Sequence, residues 1–327
     1  TRIICDREEE IKNFVPVEYW TITANLLKDK SGSAFNAKFY GNNSGKIELK
    51  DEQQVKGILS EMAGKKPLVT KVKKAEKRRN PAAPFTTSTL QQEASRKLGF
   101  TTKKTMMVAQ QLYEGITVKG HGTIGLVTYI RTDSTRISAE AQREAAEFIK
   151  DKYGPDYSPK SLKQYKTKAS QDAHEAIRPT DTGIEPDSIK ESLTRDQYRL
   201  YKLIWSRFIA SQMTAAIFDT LAVDIQIGDY IFKGNGSKLK FPGFMAVYIE
   251  GQDEENEEEE GTIPDLSEGT ELILKKLEEK QHFTQPPPRF TEASLVKLME
   301  EKGVGRPSTY SPTISTILAR GYVVIVN

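Results

Sequence analysis

Residues 125–138 read GLVTYIRTDSTRIS: a tyrosine, an arginine two positions later, then an unbroken Thr132-Asp133-Ser134-Thr135 run. A phenol ordinarily gives up its proton near pH ~10, so a tyrosine that attacks a phosphodiester phosphorus needs help. The guanidinium of Arg131 can stabilise a phenolate and grip phosphoryl oxygens as negative charge builds on them. Asp133 can orient Arg131 or handle protons, and the Thr132 and Ser134 hydroxyls are usable phosphate donors. The ordinary alternative is a strand entering an Asp/Ser/Thr helix cap, with Tyr129 packed in a core. On this stretch alone, that alternative is the better reading.

From Pro84 to the tyrosine the spacing is helical. Ser88 with Gln91 reads as a capping box, Leu90, Ala94 and Leu98 share a face, and Gly99 stops the helix. KKTMMVAQQLYEG (103–115) gives a second helix and GLVTYI (125–130) a short strand or extended piece. SAEAQREAAEFIKDKYGP gives a third helix, from Ser138 to the Gly154-Pro155 stop. Thr194 with Gln197 opens a longer helix, RDQYRLYKLIWSRFIASQM.

On either side of this block the period falls to two. EYWTITANL and AFNAKFY are strand-like, with GNNSG (41–45) as a hairpin turn. GNNSGK is not a phosphate loop: its glycines stand one residue too close, and Ile47 replaces the Ser or Thr that would meet magnesium. KKPLVTKVKKAEKRRNPAAP carries eight Lys/Arg against one Glu. It suits a segment that follows a phosphate backbone, or equally a basic strand edge that discourages aggregation. Leu221, Val223, Ile225 and Ile227 face one way before a Gly228-Asp229 turn. Near the end, Thr291 caps EASLVKLMEEK, Gly303-Val304-Gly305 breaks it, and Ser311-Pro312 starts a helix with Ile314, Ile317 and Leu318 on one face. YVVIV (322–326) reads as a strand. Strand, helix, strand, helix along one chain implies an α+β multidomain fold, a β domain interrupted by a helical insertion.

The 327 residues are 37% hydrophobic, enough for real cores but too long for one compact domain. No apolar run approaches the ~18 residues of a membrane span, and no signal peptide opens the chain. The single cysteine, Cys5, excludes an internal disulfide and a Cys-based zinc site, and fits a reducing cytoplasm. Net charge is +3, but residues 253–260 (DEENEEEE) hold seven acidic groups and no basic one. The remainder is therefore a basic body suited to a polyanion such as DNA, with the acidic tract as a solvated loop.

Three further segments reverse the balance at Tyr129. YIRTDST closely resembles the active-site tyrosine segment of type IA DNA topoisomerases, the bacterial topoisomerase I branch in particular. PFTTSTLQQEASRKLGF (84–100) and KKTMMVAQQLYEG resemble the family stretch leading to that tyrosine, QDAHEAIRPTD (171–181) its histidine motif, and PPPRFTEASLVKLMEEKGVGRPSTYSPTISTI (286–317) its GxGRPSTY segment. The four pieces span most of the chain in the family's order.

The resemblance implies helical domains plus a β-rich arch, part of the type IA toroid. Residues 1–15 and 286–327 would be remnants of a helical base, 16–84 and 216–285 the arch, and 85–215 a helical domain displaying Tyr129. Tyr129 would form a 5′-phosphotyrosine, Arg131 would position and polarise, Asp133 would support rejoining, and His174 would contact the scissile region. Arg306 and Thr309 would bind nearby phosphates, joined by Thr132, Ser134, Arg178, Gln91 and Gln92. The implied partners are single-stranded DNA and negatively supercoiled duplex, met by a cytoplasmic, nucleoid-associated monomer without ATP and without a membrane.

Departures bear on activity. The family's metal-binding TOPRIM domain carries a glutamate and an Asp-x-Asp pair, and this chain has no Asp-x-Asp; it also lacks the GRVQS segment and the zinc-ribbon cysteines. Mg2+ would then belong to the full-length parent, and these residues alone are expected to bind DNA without turnover. Two other readings stand beside this one: a DNA-binding module using the helix–GVG–helix of 291–320, and an interaction scaffold docking through its acidic tract. A tyrosine recombinase is disfavoured, because its arginine and histidine spacing around a terminal tyrosine does not occur.

Overall fold

The computed structural model describes residues 1–30, 32–163, 165, 174–251 and 263–326. The acidic tract 253–260 and residues 171–173 of the histidine motif lie outside them.

Alternation in the two β-rich stretches produces one antiparallel sheet. Its strands are β1 (Glu18–Leu27), β2 (Phe35–Asn42), β3 (Gly45–Lys46), β4 (Leu68–Arg79), β7 (Ala216–Ile227), β8 (Tyr230–Phe241) and β9 (Ile273–Phe283), ordered β4-β7-β8-β2-β1-β9 with β3 on β2. Ile22, Ala24, Leu26, Phe35, Ala37, Val223, Ile225, Ile227 and Phe232 point to one face and are buried there. Helix α2 (Glu52–Met62) covers that face with Val55, Ile58 and Met62. Each such side chain contributes about 1.5–3 kcal/mol of burial. The sequence reading missed α2, although Asp51 caps it through Gln54 N and its apolar residues recur at helical spacing.

A second core gathers α3 (Thr87–Leu98), α4 (Thr102–Glu114), α5 (Ala139–Tyr153) and α6 (Arg195–Gln212) around Leu90, Leu112, Leu126, Ile130, Tyr201 and Phe208. A small hairpin, β5 (Ile116–Val118) with β6 (Gly122–Ile124), follows α4. The third cluster is small: Leu295, Val296 and Met299 of α7 (Glu292–Glu301) meet Tyr310 and Ile314 of α8 (Tyr310–Ala319). Ile3 and Ile4 of α1 (Arg2–Lys12) pack against it.

Most predicted helix starts hold, because a cap is a local device: Ser138, Thr194 and Thr291 each accept from the backbone N–H three residues on. One is corrected. Thr86, not Ser88, caps α3, in a reciprocal box with Thr89; Ser88 already lies inside the helix, and its hydroxyl donates to Glu300 at 2.7 Å. YVVIV forms no strand. It pairs with no described strand, and Val324, Ile325 and Val326 remain exposed.

Candidate active site

The segment 125–136 has little ladder of its own, its bridge being Val127 to Pro179, and it bends at Thr128, Ile130 and Arg131. Neighbours on two sides fix it. On one, Thr128 N donates to Arg178 O (3.0 Å), Thr128 Oγ1 donates to Ala176 O (2.7 Å), and Thr180 N donates to Leu126 O (3.1 Å). On the other, the buried Thr87 at the start of α3 donates its hydroxyl to Ile130 O (2.7 Å) and accepts from Thr132 N (2.9 Å). Gly125 is required by contact: a Cβ there would stand 2.6 Å from Tyr113 O.

Burial alternates from Ile130 to Ser134. Ile130, Thr132 and Ser134 turn inward and are buried, while Arg131 and Asp133 are exposed and Tyr129 is half-buried. The guanidinium and the carboxylate are thus open to solvent, next in sequence to the half-buried nucleophile candidate, in a bent segment clamped from two sides. Tyr129 lies against two rings, Tyr113 edge-on at 5.6 Å and His174 tilted at 4.6 Å. Its hydroxyl forms no hydrogen bond with a described residue. His174, far away in sequence, is brought to Tyr129 because residues 176–180 pair with 126–128.

The same alternation changes the reading of Thr132 and Ser134. Both are buried, and their oxygens accept backbone N–H groups, Ser134 N on Thr132 (3.0 Å) and Arg136 N on Ser134 (3.1 Å). In this arrangement their hydroxyls hold the backbone of 134–136. Arg178 is held by Glu175 at 2.8 Å and donates to Pro179 O at 2.9 Å. Gln91 has no exposed surface and its amide has no hydrogen-bond partner among the described residues; Gln92 donates to Ser88. Both lie on α3, which packs on α7 as well as on its own core, and both are buried in this arrangement. Arg306 and Thr309 are exposed, but they bond to each other: Thr309 Oγ1 accepts from Arg306 N at 2.8 Å.

Tyr310 is where the two distant motifs meet. Burial pushes its phenol up, the Glu300 and Asp133 carboxylates adding to the shift and Arg306 opposing it. Asp133 and the GVGRPSTY segment therefore share one electrostatic neighbourhood. Gly305 (φ +89°) permits the tight approach, since a Cβ would press on Thr309 Oγ1 and the Tyr310 ring at 3.2 Å. Sequence reading did not single out Thr87, Thr128, Tyr113 or Glu300. Threonine at an extended-segment crossing leaves no pattern, and a tyrosine ending an amphipathic helix looks like any other.

The Thr87 clamp yields a first prediction. Thr87→Val keeps the shape but leaves a buried carbonyl and a buried N–H without that partner, so stability should fall by about 1–3 kcal/mol. Denaturant unfolding measures it; an unchanged midpoint would mean the clamp is dispensable.

Among the described residues no three His, Cys, Asp or Glu side chains come together to hold a metal ion. No described helix is long and apolar enough to cross a membrane.

This geometry can be compared with known proteins. A full-length topoisomerase I from Thermotoga maritima superimposes with a TM-score of 0.81 at 38% identity, over 100% of this chain and 51% of that one. The chain thus spans about half the length of its relative. The sequence profile described as DNA topoisomerase matches residues 1–327, from the first helix through the clamped tyrosine to the last. The tyrosine segment pinned between α3 and the histidine motif is thus one part of a likeness that runs the whole length, and the chain belongs to the DNA topoisomerase family.

Proposed function

We propose that the chain carries the strand-cutting residues of a bacterial type IA DNA topoisomerase, which cleaves one strand transiently, lets another pass and reseals the first without ATP. The observation that carries this reading is the segment clamped from both flanks, with Tyr129 half-buried against His174 and with Arg131 and Asp133, next to it in sequence, exposed. In cleavage, the Tyr129 oxygen bonds to phosphorus as the bond from phosphorus to the 3′ oxygen breaks. The phenolic proton leaves and the 3′ oxygen takes one up. Because the tyrosyl ester retains the bond energy, the freed 3′-hydroxyl can reverse the step. Arg131 holds the phosphoryl oxygens as charge develops, and His174 fixes the Tyr129 ring. The partners are single-stranded and negatively supercoiled DNA, the setting is the cytoplasm, and the protein acts as a monomer. Residues 85–215 are the tyrosine domain, the sheet with α2 the arch, and α1 with α7 and α8 the base.

Mg2+ belongs to the family's chemistry, but the described carboxylates do not converge on a site for it, so no step here is routed through a metal. The test is to trap the full-length protein on a single-stranded oligonucleotide and map the adduct. The DNA should be joined through its 5′ phosphate to Tyr129; a link at another residue overturns the assignment.

Arg131→Lys separates positioning from attraction. Lysine keeps the charge but loses the planar fork that engages two oxygens. Cleavage by the full-length protein should fall by roughly 10²-fold with DNA binding retained. Equal losses in both would make Arg131 a general DNA contact.

A further inference from the structure

The charges of β4 are sorted by face. Past the register shift at Val69/Lys71 the strand pairs regularly with β7, from Lys71 opposite Asp224 to Arg79 opposite Ala216, so alternate residues share a side. On the side of Val72, which packs on the sheet core, the charges are answered: Lys74 binds Asp265 at 2.6 Å, Glu76 binds Lys240 at 2.9 Å, and Arg78 lies 3.9 Å from Glu76. On the other side stand Lys71, Lys73, Lys77 and Arg79, all exposed, and none forms an ion pair with a described residue. Asp224, opposite Lys71, forms none either.

The face these four share continues across β7 and β8 through Asp224 and Lys233, Ala222 and Asn235, Thr220 and Ser237, and Phe218 and Leu239, with the Lys233 ammonium 3.6 Å over the Tyr40 ring. Residues two apart on a strand are separated by about 6.6 Å, so the four cations, interrupted at Ala75, are spread along the strand as a line of charge that a phosphate backbone can follow. It also leads somewhere: Ala216, opposite Arg79, is buried in the core that carries the Tyr129 segment.

We infer that this face of β4 is a sequence-independent track for a DNA backbone, separate from the cleavage residues and running toward the body that holds them. Its occupant is a polyanionic strand, recognised by charge and spacing alone. The inference rests on the DNA-binding reading above but not on Tyr129 chemistry. A basic edge that only discourages aggregation is the competing account, and it requires no DNA contact.

Two variants with the same change in net charge decide between them. In the first, Lys71, Lys73, Lys77 and Arg79 are replaced by Gln; in the second, Lys66, Lys74, Arg78 and Lys240, each ion-paired, are replaced likewise. Affinity of the 327-residue chain for a short labelled duplex, and for one of its single strands, is measured against salt without magnesium. The first variant should lose about 3–4 from the slope of log K against log salt, and at least ~10-fold in affinity at low salt; the second should change far less. A larger loss with duplex than with single strand assigns the track to duplex, and the converse to single strand. Equal effects of the two variants, or an unchanged slope in the first, overturn the track. Adduct formation at Tyr129 in the full-length protein is read separately, so failure of the track leaves the cleavage assignment standing.

Discussion

Tyr129→Phe is expected to abolish covalent capture of DNA, by more than ~10³-fold, while leaving the fold and DNA affinity in place. The substitution removes one oxygen. That oxygen makes no hydrogen bond to a described residue, so its loss orphans no buried partner, and stability should move by no more than about 0.5 kcal/mol. The ring stays, and with it the contacts to Tyr113 and His174. DNA affinity is expected to rest on cations elsewhere. Only chemistry should be lost, which is the signature of a nucleophile as opposed to a packing residue. The measurement pairs adduct formation with binding of the same oligonucleotide by the full-length protein. Tyr113 makes the result informative, because a second phenol lies against the first. Persistent adduct in Tyr129→Phe would move the nucleophile, with Tyr113 the first place to look.

What could be read in advance divides along a physical line. Helix starts at Ser138, Thr194 and Thr291 were legible because a cap and its target lie three residues apart. The error at Ser88 has the same scale: two hydroxyl residues compete for one cap, and the extended backbone of Thr86 decides. Alternation in β7 named the buried face, yet nothing local in β7 says that its neighbours are β4 and β8 or that β1 pairs with β9. YVVIV shows the converse, since strand propensity without a partner edge yields no strand. At the site, the period-two rule was already present in YIRTDST. Applied there, it would have separated outward Arg131 and Asp133 from inward Thr132 and Ser134. The burial of Gln91 was not legible, because it depends on α7 covering α3, a contact between residues some 200 positions apart. The approach of His174 to Tyr129 is equally non-local, and only the family resemblance pointed to it.

These 327 residues alone are expected to bind single-stranded DNA but not to relax negatively supercoiled plasmid, with or without magnesium. A phenol with an ordinary pKa of ~10 is almost wholly protonated at neutral pH, so a tyrosine nucleophile needs an acceptor for its proton. Here the Tyr129 hydroxyl has no described hydrogen-bond partner, and its two neighbouring rings offer no carboxylate. Asp133 is exposed nearby in sequence, but its described influence falls on Tyr310. Added Mg2+ should not rescue activity, since no trio of described acidic or imidazole side chains is arranged to hold it. Relaxation also asks more than cleavage: one strand must stay tethered while another passes and the ends return. This chain matches half the length of the Thermotoga enzyme, and we propose that the rest of such a protein supplies the missing acid–base and metal groups. The comparison is plasmid relaxation by the isolated chain and by the full-length protein, side by side. Relaxation by the isolated chain that disappears in Tyr129→Phe would mean that these residues contain a complete active site, and that Asp133 or His174 turns toward the phenol once DNA is bound.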